Sequence, residues 1–337
     1  MAVGHMNLKR ITKRSLEELN ATRKIAKETS FKDAINTFWA KIDIQIMNRN
    51  GFQEPPVVRQ RLEKKHEIML TYFEKMFSEY LENYDYNKTR SKYDSELCNR
   101  IWICWWQGLD KAPELVKRCV ESIQKNSGKY QVTIITDENY KDFVDIPEWI
   151  EEKRKAGIIT RTNYSDLLRL SLLAKHGGMW LDATFFCAKP NIEEYFKYPL
   201  WSIKRPDYLH CSVASGYFAG YSLKCDLDNR WIFEIVRDFF LNYWKNNDTL
   251  IDYLLVDYMI VLAQRWDSQI AEAFEKIIPN NPCCDELYKI LGEPYNEEIW
   301  EELKKDTSLF KLTWKQEFPL KKNGCDTFYA KLLDGKL

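Results

Sequence analysis

What most constrains this chain is an alternation of apolar runs between residues 101 and 136. The run Ile101-Trp102-Ile103-Cys104-Trp105-Trp106 follows the polar pair Asn99-Arg100 and has the length and the β-branched and aromatic content of a buried strand. Leu115, Val116, Cys119, Val120 and Ile123 then share one face of a helix predicted from Pro113 to Asn126, which Gly128 stops. Tyr130 to Thr136 reads as a second strand. Strand, helix and strand within about 36 residues form a crossover unit, so the chain predicts an α/β fold with a mainly parallel, Rossmann-like central sheet flanked by helices.

The pattern continues beyond residue 136. Helices are predicted for Glu148 to Ala156, stopped by Gly157, and for Asn163 to Lys175, stopped by Gly177-Gly178 and feeding a strand from Met179 to Phe186. Residues 199–221 carry strand-like runs, and 229–245, 249–266, 268–278 and 295–305 read as helices. Residues 7–96 have a different texture and form a predicted N-terminal helical region ahead of an α/β domain at 97–337. Ser15-Leu16-Glu17-Glu18 has the form of a capping box. Ile35, Phe38, Trp39, Ile42 and Ile46 make one helical stripe, and after the Pro55-Pro56 break so do Met69, Tyr72, Phe73, Met76, Phe77 and Tyr80. Residues 1–6 read as a tag remnant ahead of a native start.

Composition narrows the function classes. With 50 Lys+Arg against 50 Asp+Glu the net charge is zero, which argues against nucleic acid as a partner, because that binding draws on a basic surface. No apolar run reaches the roughly 18 residues that span a bilayer, and the longest, Leu254 to Ala263, is broken by Asp257. The basic cluster Lys9, Arg10, Lys13, Arg14 does not lead into the apolar stretch of a secretory signal. Nine Cys with no C-x-x-C pair suggest neither a disulfide framework nor a zinc ribbon, and predict a reducing cytoplasm. Residues 7–27 carry seven Lys/Arg and two acidic residues, which suits either a solvated helix face or contact with the anionic inner face of the cell membrane.

Chemistry concentrates between residues 163 and 184. Asp166 and Arg169, three apart on a predicted helix, project together. The following strand is apolar until Asp182, which therefore stands at its carboxyl end, where open α/β sheets bind ligands. A carboxylate there is suited to a divalent cation or a sugar hydroxyl, and a nearby arginine to an anion. Each residue also has a structural alternative. Asp166 could complete a cap with Asn163, Trp102, Trp105 and Trp106 could all be core, and Asp252 could be a helix-start charge. His176 suits the last carbonyls of its helix, and Cys283-Cys284 an ordinary loop.

Two motifs in this order, I-W-x-x-W-W-Q-G…A-P-E-L-V from Ile101 and S-D-x-x-R…G-G-x-W-L-D-x-T from Ser165, resemble the capsular polysaccharide synthesis glycosyltransferases and, more distantly, the sugar transferases with a DXD motif. The resemblance covers residues 97–190 well and 200–320 loosely. It implies a GT-A fold, a nucleotide-sugar donor (a UDP-sugar), anomeric retention, and a glycan or lipid-linked oligosaccharide acceptor. By the same resemblance Trp102 stacks on the base, Asn139 bonds base or ribose, Asp166 and Arg169 contact sugar and phosphate, Trp180 walls the nucleotide pocket, and Asp182 contacts ribose, sugar or metal. Where DXD relatives carry a second aspartate this chain has Thr184, so either Mn²⁺ or Mg²⁺ sits at Asp182 and Thr184, or a cation such as Lys315 neutralises the leaving diphosphate. Asp252 is the further candidate for acceptor or sugar contact. The alternatives to a transferase are a nucleotide-sugar hydrolase, a non-catalytic glycan- or nucleotide-binding protein, and a scaffold.

Overall fold

The computed structural model describes residues 8–85 and 96–337, the first ten of these as backbone only; the proposed tag remnant lies outside them. Three helices come first, α1 (Leu8–Glu28), α2 (Phe31–Arg49) and α3 (Pro56–Glu82). Helix α1 runs straight through Ser15, so the Ser15–Glu18 pattern lies inside a helix and does not begin one. Ser30 caps α2, its hydroxyl accepting from the Asp33 amide. The next elements are β1 (Arg100–Cys104), α4 (Glu114–Asn126), β2 (Gln131–Ile135), α5 (Glu148–Lys155), α6 (Arg161–His176), β3 (Gly178–Leu181) and β4 (Phe185–Cys187). The strand expected from Met179 to Phe186 is thus two strands, separated by a turn at Asp182–Thr184 in which the Phe185 amide bonds back to the Asp182 carbonyl.

The chain continues through α7 (Ile192–Phe196), β5 (Leu200–Ser202), β6 (Ser222–Cys225), α8 (Arg230–Asn246), α9 (Leu255–Trp266) and α10 (Ser268–Glu275). It finishes with α11 (Glu286–Ile290), α12 (Glu297–Lys304), β7 (Leu309–Lys311), the short pair β8 (Lys321–Lys322) and β9 (Cys325–Asp326), and α13 (Phe328–Leu333). The central sheet has strand order β2-β1-β3-β6-β5. β1 runs parallel to β2 and β3, as the crossover pattern requires, while β6 is antiparallel to both β3 and β5. The sheet is therefore mixed: after β4, α7 and β5 the chain comes back along β3 in the opposite direction, with Ser222 of β6 opposite Leu181.

Strand periodicity divides the core. Ile101, Ile103, Met179 and Leu181 face one layer with α4 and α11–α13, and Trp102, Trp180 and Leu223 face the other with α6, α8 and α9. Helix α3 belongs to that second core, where Phe73 and Phe77 meet Tyr243, Tyr258 and Phe239. Helix α6 starts at Thr160, whose hydroxyl accepts from the Asn163 amide, and ends at Gly177 with φ 69°. At Gly178 (φ 84°) a Cβ would lie 2.5 Å from the Arg100 carbonyl oxygen, so only glycine lets β3 start this close to β1. Among the described residues no helix is long and apolar enough to cross a membrane, and all nine cysteines are unpaired.

Candidate active site

The carboxyl end of β3 opens into a cavity of about 440 Å³ lined by Asp166, Arg169, Asp182, Asp257 and Lys311, among others. Helix α6 delivers the first two. With Thr160 as the cap, Asp166 lies in the second turn, which removes its alternative role as a capping partner. Its carboxylate instead accepts from the Arg169 guanidinium at 2.7 Å, both side chains being buried. Burial lifts the Asp166 pKa to about 6 against the pull of Arg169, and the Asp257 and Asp182 charges add to the rise. The buried Arg169 Nε has no hydrogen-bond partner among the described residues.

Asp182 follows β3, and two groups orient its carboxylate. One oxygen accepts from the Trp180 indole at 3.0 Å, the other from the Lys311 ammonium at 2.7 Å. Burial would raise its pKa, but Lys311 and Arg169 outweigh this and hold the carboxyl below the ordinary value. Lys311 also donates to the Thr184 hydroxyl at 2.8 Å. Its position follows from strand pairing: β7 is antiparallel to β4 with Lys311 opposite Phe185, and the Leu312 amide bonds to the Thr184 carbonyl, so the lysine lies over the Asp182–Thr184 turn.

A divalent cation does not fit this donor set. Asp182 and Thr184 offer one carboxylate and one hydroxyl, and both already bind the ammonium of Lys311. Among the described residues no cluster of three or more His, Cys, Asp or Glu is placed to hold a metal. A lysine ammonium thus stands between Asp182 and Thr184, the two residues that the sequence offered to Mn²⁺ or Mg²⁺. That lysine is Lys311, since Lys315 is exposed beyond the end of β7.

Other expectations change in the same way. Trp102 is completely buried, its indole donating to the Gly177 carbonyl at 2.9 Å and its ring packed on Phe143 and His176, so no face is left for a base. Trp180 lies behind the cavity, where its ring carries the Arg169 guanidinium at 5.3 Å and its N–H holds Asp182. The Asn139 amide is spent on its own turn, accepting from the Thr136 amide and donating to the Ile134 carbonyl. Asp252 forms a buried ion pair with Lys65 of α3 at 2.8 Å and accepts from the Leu254 amide, outside the cavity lining. His176 bonds the Phe143 carbonyl, and Arg230 takes the final α6 carbonyls of Ala174 and Lys175.

Sequence reasoning missed Asp257 and Lys311. Asp257 lies in the first turn of α9, its carboxylate accepting from Ser212 at 2.8 Å, and burial raises its pKa to about 6 while Ser212 and Arg169 oppose the rise. At Gly220 an added Cβ would lie 2.5 Å from Asp257 Oδ1 and 3.4 Å from an Arg169 nitrogen, so this glycine makes room for both. The signal for Asp257 was present, since it is a carboxylate in the apolar stretch Leu254–Ala263, and burial of an unpaired carboxylate is unfavourable away from a polar site. Nothing local marked Lys311.

The chain matches the family described as capsular polysaccharide synthesis protein over residues 49–332. It belongs to that family. No curated protein and no solved structure gives a significant match. The match spans α3 and every residue named at the candidate site, and the α/β architecture is consistent with a GT-A-like fold. Helix α1 and nearly all of α2 lie outside it.

Proposed function

We propose that the protein is a retaining hexosyltransferase that draws on a nucleoside diphosphate sugar, with uridine as the nucleoside, and extends a glycan or lipid-linked oligosaccharide at the inner face of the membrane. The observation that carries this reading is the placement, in one cavity at the carboxyl end of β3, of two cations each held by a carboxylate: Arg169 on Asp166 and Lys311 on Asp182. Breaking a glycosyl–phosphate bond develops negative charge on the departing diphosphate and positive charge on the sugar ring. Lys311 and Arg169 meet the first, and the carboxylates of Asp166, Asp182 and Asp257 accept sugar hydroxyls and face the second. In front-face transfer the acceptor oxygen bonds to the anomeric carbon as the phosphate oxygen leaves it, and the acceptor proton passes to that phosphate.

The base is assigned to Trp105 and not Trp102. Of the three tryptophans at the end of β1, Trp105 is the half-buried one; it meets the exposed Trp314 edge to face at 5.7 Å, and its buried N–H lacks a hydrogen-bond partner among the described residues. Trp314 follows Thr313, which lines the cavity.

Calorimetric titration with UDP-, GDP- and CMP-sugars tests the reading. UDP-sugar binding that Arg169→Ala abolishes supports it. Release of free sugar with no product in the presence of glycan acceptors would make the protein a hydrolase, and binding of none of the three would overturn a donor site altogether.

A further inference from the structure

Helix α2 is packed inside out. Its buried face is Ala34, Thr37, Ala40, Asp43 and Met47, with Asp43 paired to Arg61 of α3 at 2.9 Å. Its exposed face is the apolar stripe that the sequence would put in a core: Phe31 is 74% exposed, Trp39 51%, Ile46 49%, Ile35 40% and Phe38 36%. These side chains lie within an arc of about 100° along roughly 22 Å of helix, an amphipathic face directed away from the protein. Isolated exposed apolar residues need no explanation, but a contiguous stripe of this kind does.

The surroundings of the stripe select its occupant. Ile35 and Trp39 line a shallow hollow with Asn36, Lys32, Arg61 and Lys64; Arg61 is held by Asp43, and Lys32 and Lys64 add positive charge beside the apolar residues. Aromatic and aliphatic side chains with basic residues beside them match the boundary between acyl chains and anionic headgroups, where tryptophan is favoured and each nearby Lys or Arg adds attraction. The cavity lies close in the chain: Phe52, three residues beyond the end of α2, is exposed and lines it.

We propose that the exposed face of α2 is a docking surface for an anionic lipid bilayer, on which it lies in the interface plane with the mouth of the cavity turned towards the membrane. The surface stands on α2 alone and does not depend on the donor reading; if that reading also holds, the geometry presents the cavity to an acceptor carried on a lipid.

Co-sedimentation of the full-length protein with vesicles of phosphatidylcholine, with and without phosphatidylglycerol, tests the surface. The wild type is expected to sediment with the anionic vesicles and to be released by salt. Phe38→Ser with Trp39→Ser, both at exposed positions, is expected to weaken binding at least about tenfold with an unchanged melting temperature and unchanged UDP-sugar binding in solution. Lys32→Glu with Lys64→Glu is expected to weaken it and flatten its salt dependence. Failure of the wild type to bind anionic vesicles, or equal binding by the Phe38/Trp39 variant, would overturn the proposal. So would a wild-type dimer in light scattering that this variant converts to monomer, since the occupant would then be a second copy.

Discussion

The ammonium of Lys311 lies 2.7 Å from the carboxylate of Asp182, a residue 129 positions away in the chain, and bridges it to the hydroxyl of Thr184. In the transferase proposed above, this ammonium would meet the leaving diphosphate. The register of β7 against β4 holds it in place.

Lys311→Met is expected to reduce transfer by at least about a hundredfold, or ~2.7 kcal/mol of transition-state stabilisation, and Lys311→Arg by less. Wild-type turnover is expected to be the same in EDTA as in Mn²⁺. Steady-state kinetics with and without chelator checks both; a wild type silenced by EDTA and restored by Mn²⁺ would return the cation's role to a metal while leaving the donor reading intact.

Asp182→Asn and Arg169→Ala are each expected to lower transfer or donor hydrolysis by at least about tenfold, ~1.4 kcal/mol, with the fold retained. Rates equal to wild type in both variants, with circular dichroism unchanged, would move the site elsewhere.

The raised pKa values of Asp166 and Asp257, both about 6, set the pH behaviour. Carboxylates that accept sugar hydroxyls act ionised, so kcat/KM should rise through pH 6 to a plateau, with the apparent pKa belonging to the coupled pair. Because the Asp257 charge helps raise Asp166, Asp257→Asn should shift the remaining acid limb to lower pH. The stability effect has the opposite sense to that of a salt-bridged acid. A carboxyl whose folded pKa is raised favours the fold below its ordinary pKa and loses that contribution as pH climbs through 6, so Asp257→Asn should melt no lower than wild type at pH 8.

Two tryptophans three residues apart should behave differently. Trp105→Ala is expected to weaken UDP binding about tenfold with little loss of stability, whereas Trp102→Ala, which empties a core position, should cost about 3–5 kcal/mol of folding free energy. Paired titrations and urea melts separate the two; a stable Trp102→Ala protein that no longer binds UDP would reverse the assignment.

The buried Lys65–Asp252 pair ties α3 to the segment entering α9. Burial acts against the Asp252 charge, but Lys65 prevails and lowers its pKa to about 2, so this pair contributes stability above pH about 4 that is lost as pH falls towards 2. Lys65→Met should destabilise by about 3–5 kcal/mol at neutral pH, read by urea denaturation, because it leaves a carboxylate buried without its partner.

The chain by itself determined the features carried by short spacings. The β1–α4–β2 crossover, the α6 helix ending at Gly177, and the carboxylate at the end of β3 were all legible because each depends on periodicity or on a local backbone need. The roles that the resemblance implied for Trp102 and Asn139, and the contact suggested for Asp252, were not decidable there, since a sequence does not show whether an aromatic ring or a polar side chain has already found its partner inside. Only tertiary structure decided the cation at the site, because Lys311 reaches Asp182 through the β4–β7 pairing, and nothing in residues 309–315 distinguishes it from Lys315. It also reversed the meaning of α2. Periodicity shows that Ile35, Phe38, Trp39, Ile42 and Ile46 share a face, and it is the close seating of Ala34, Thr37 and Ala40 against the rest of the protein that turns this face outward.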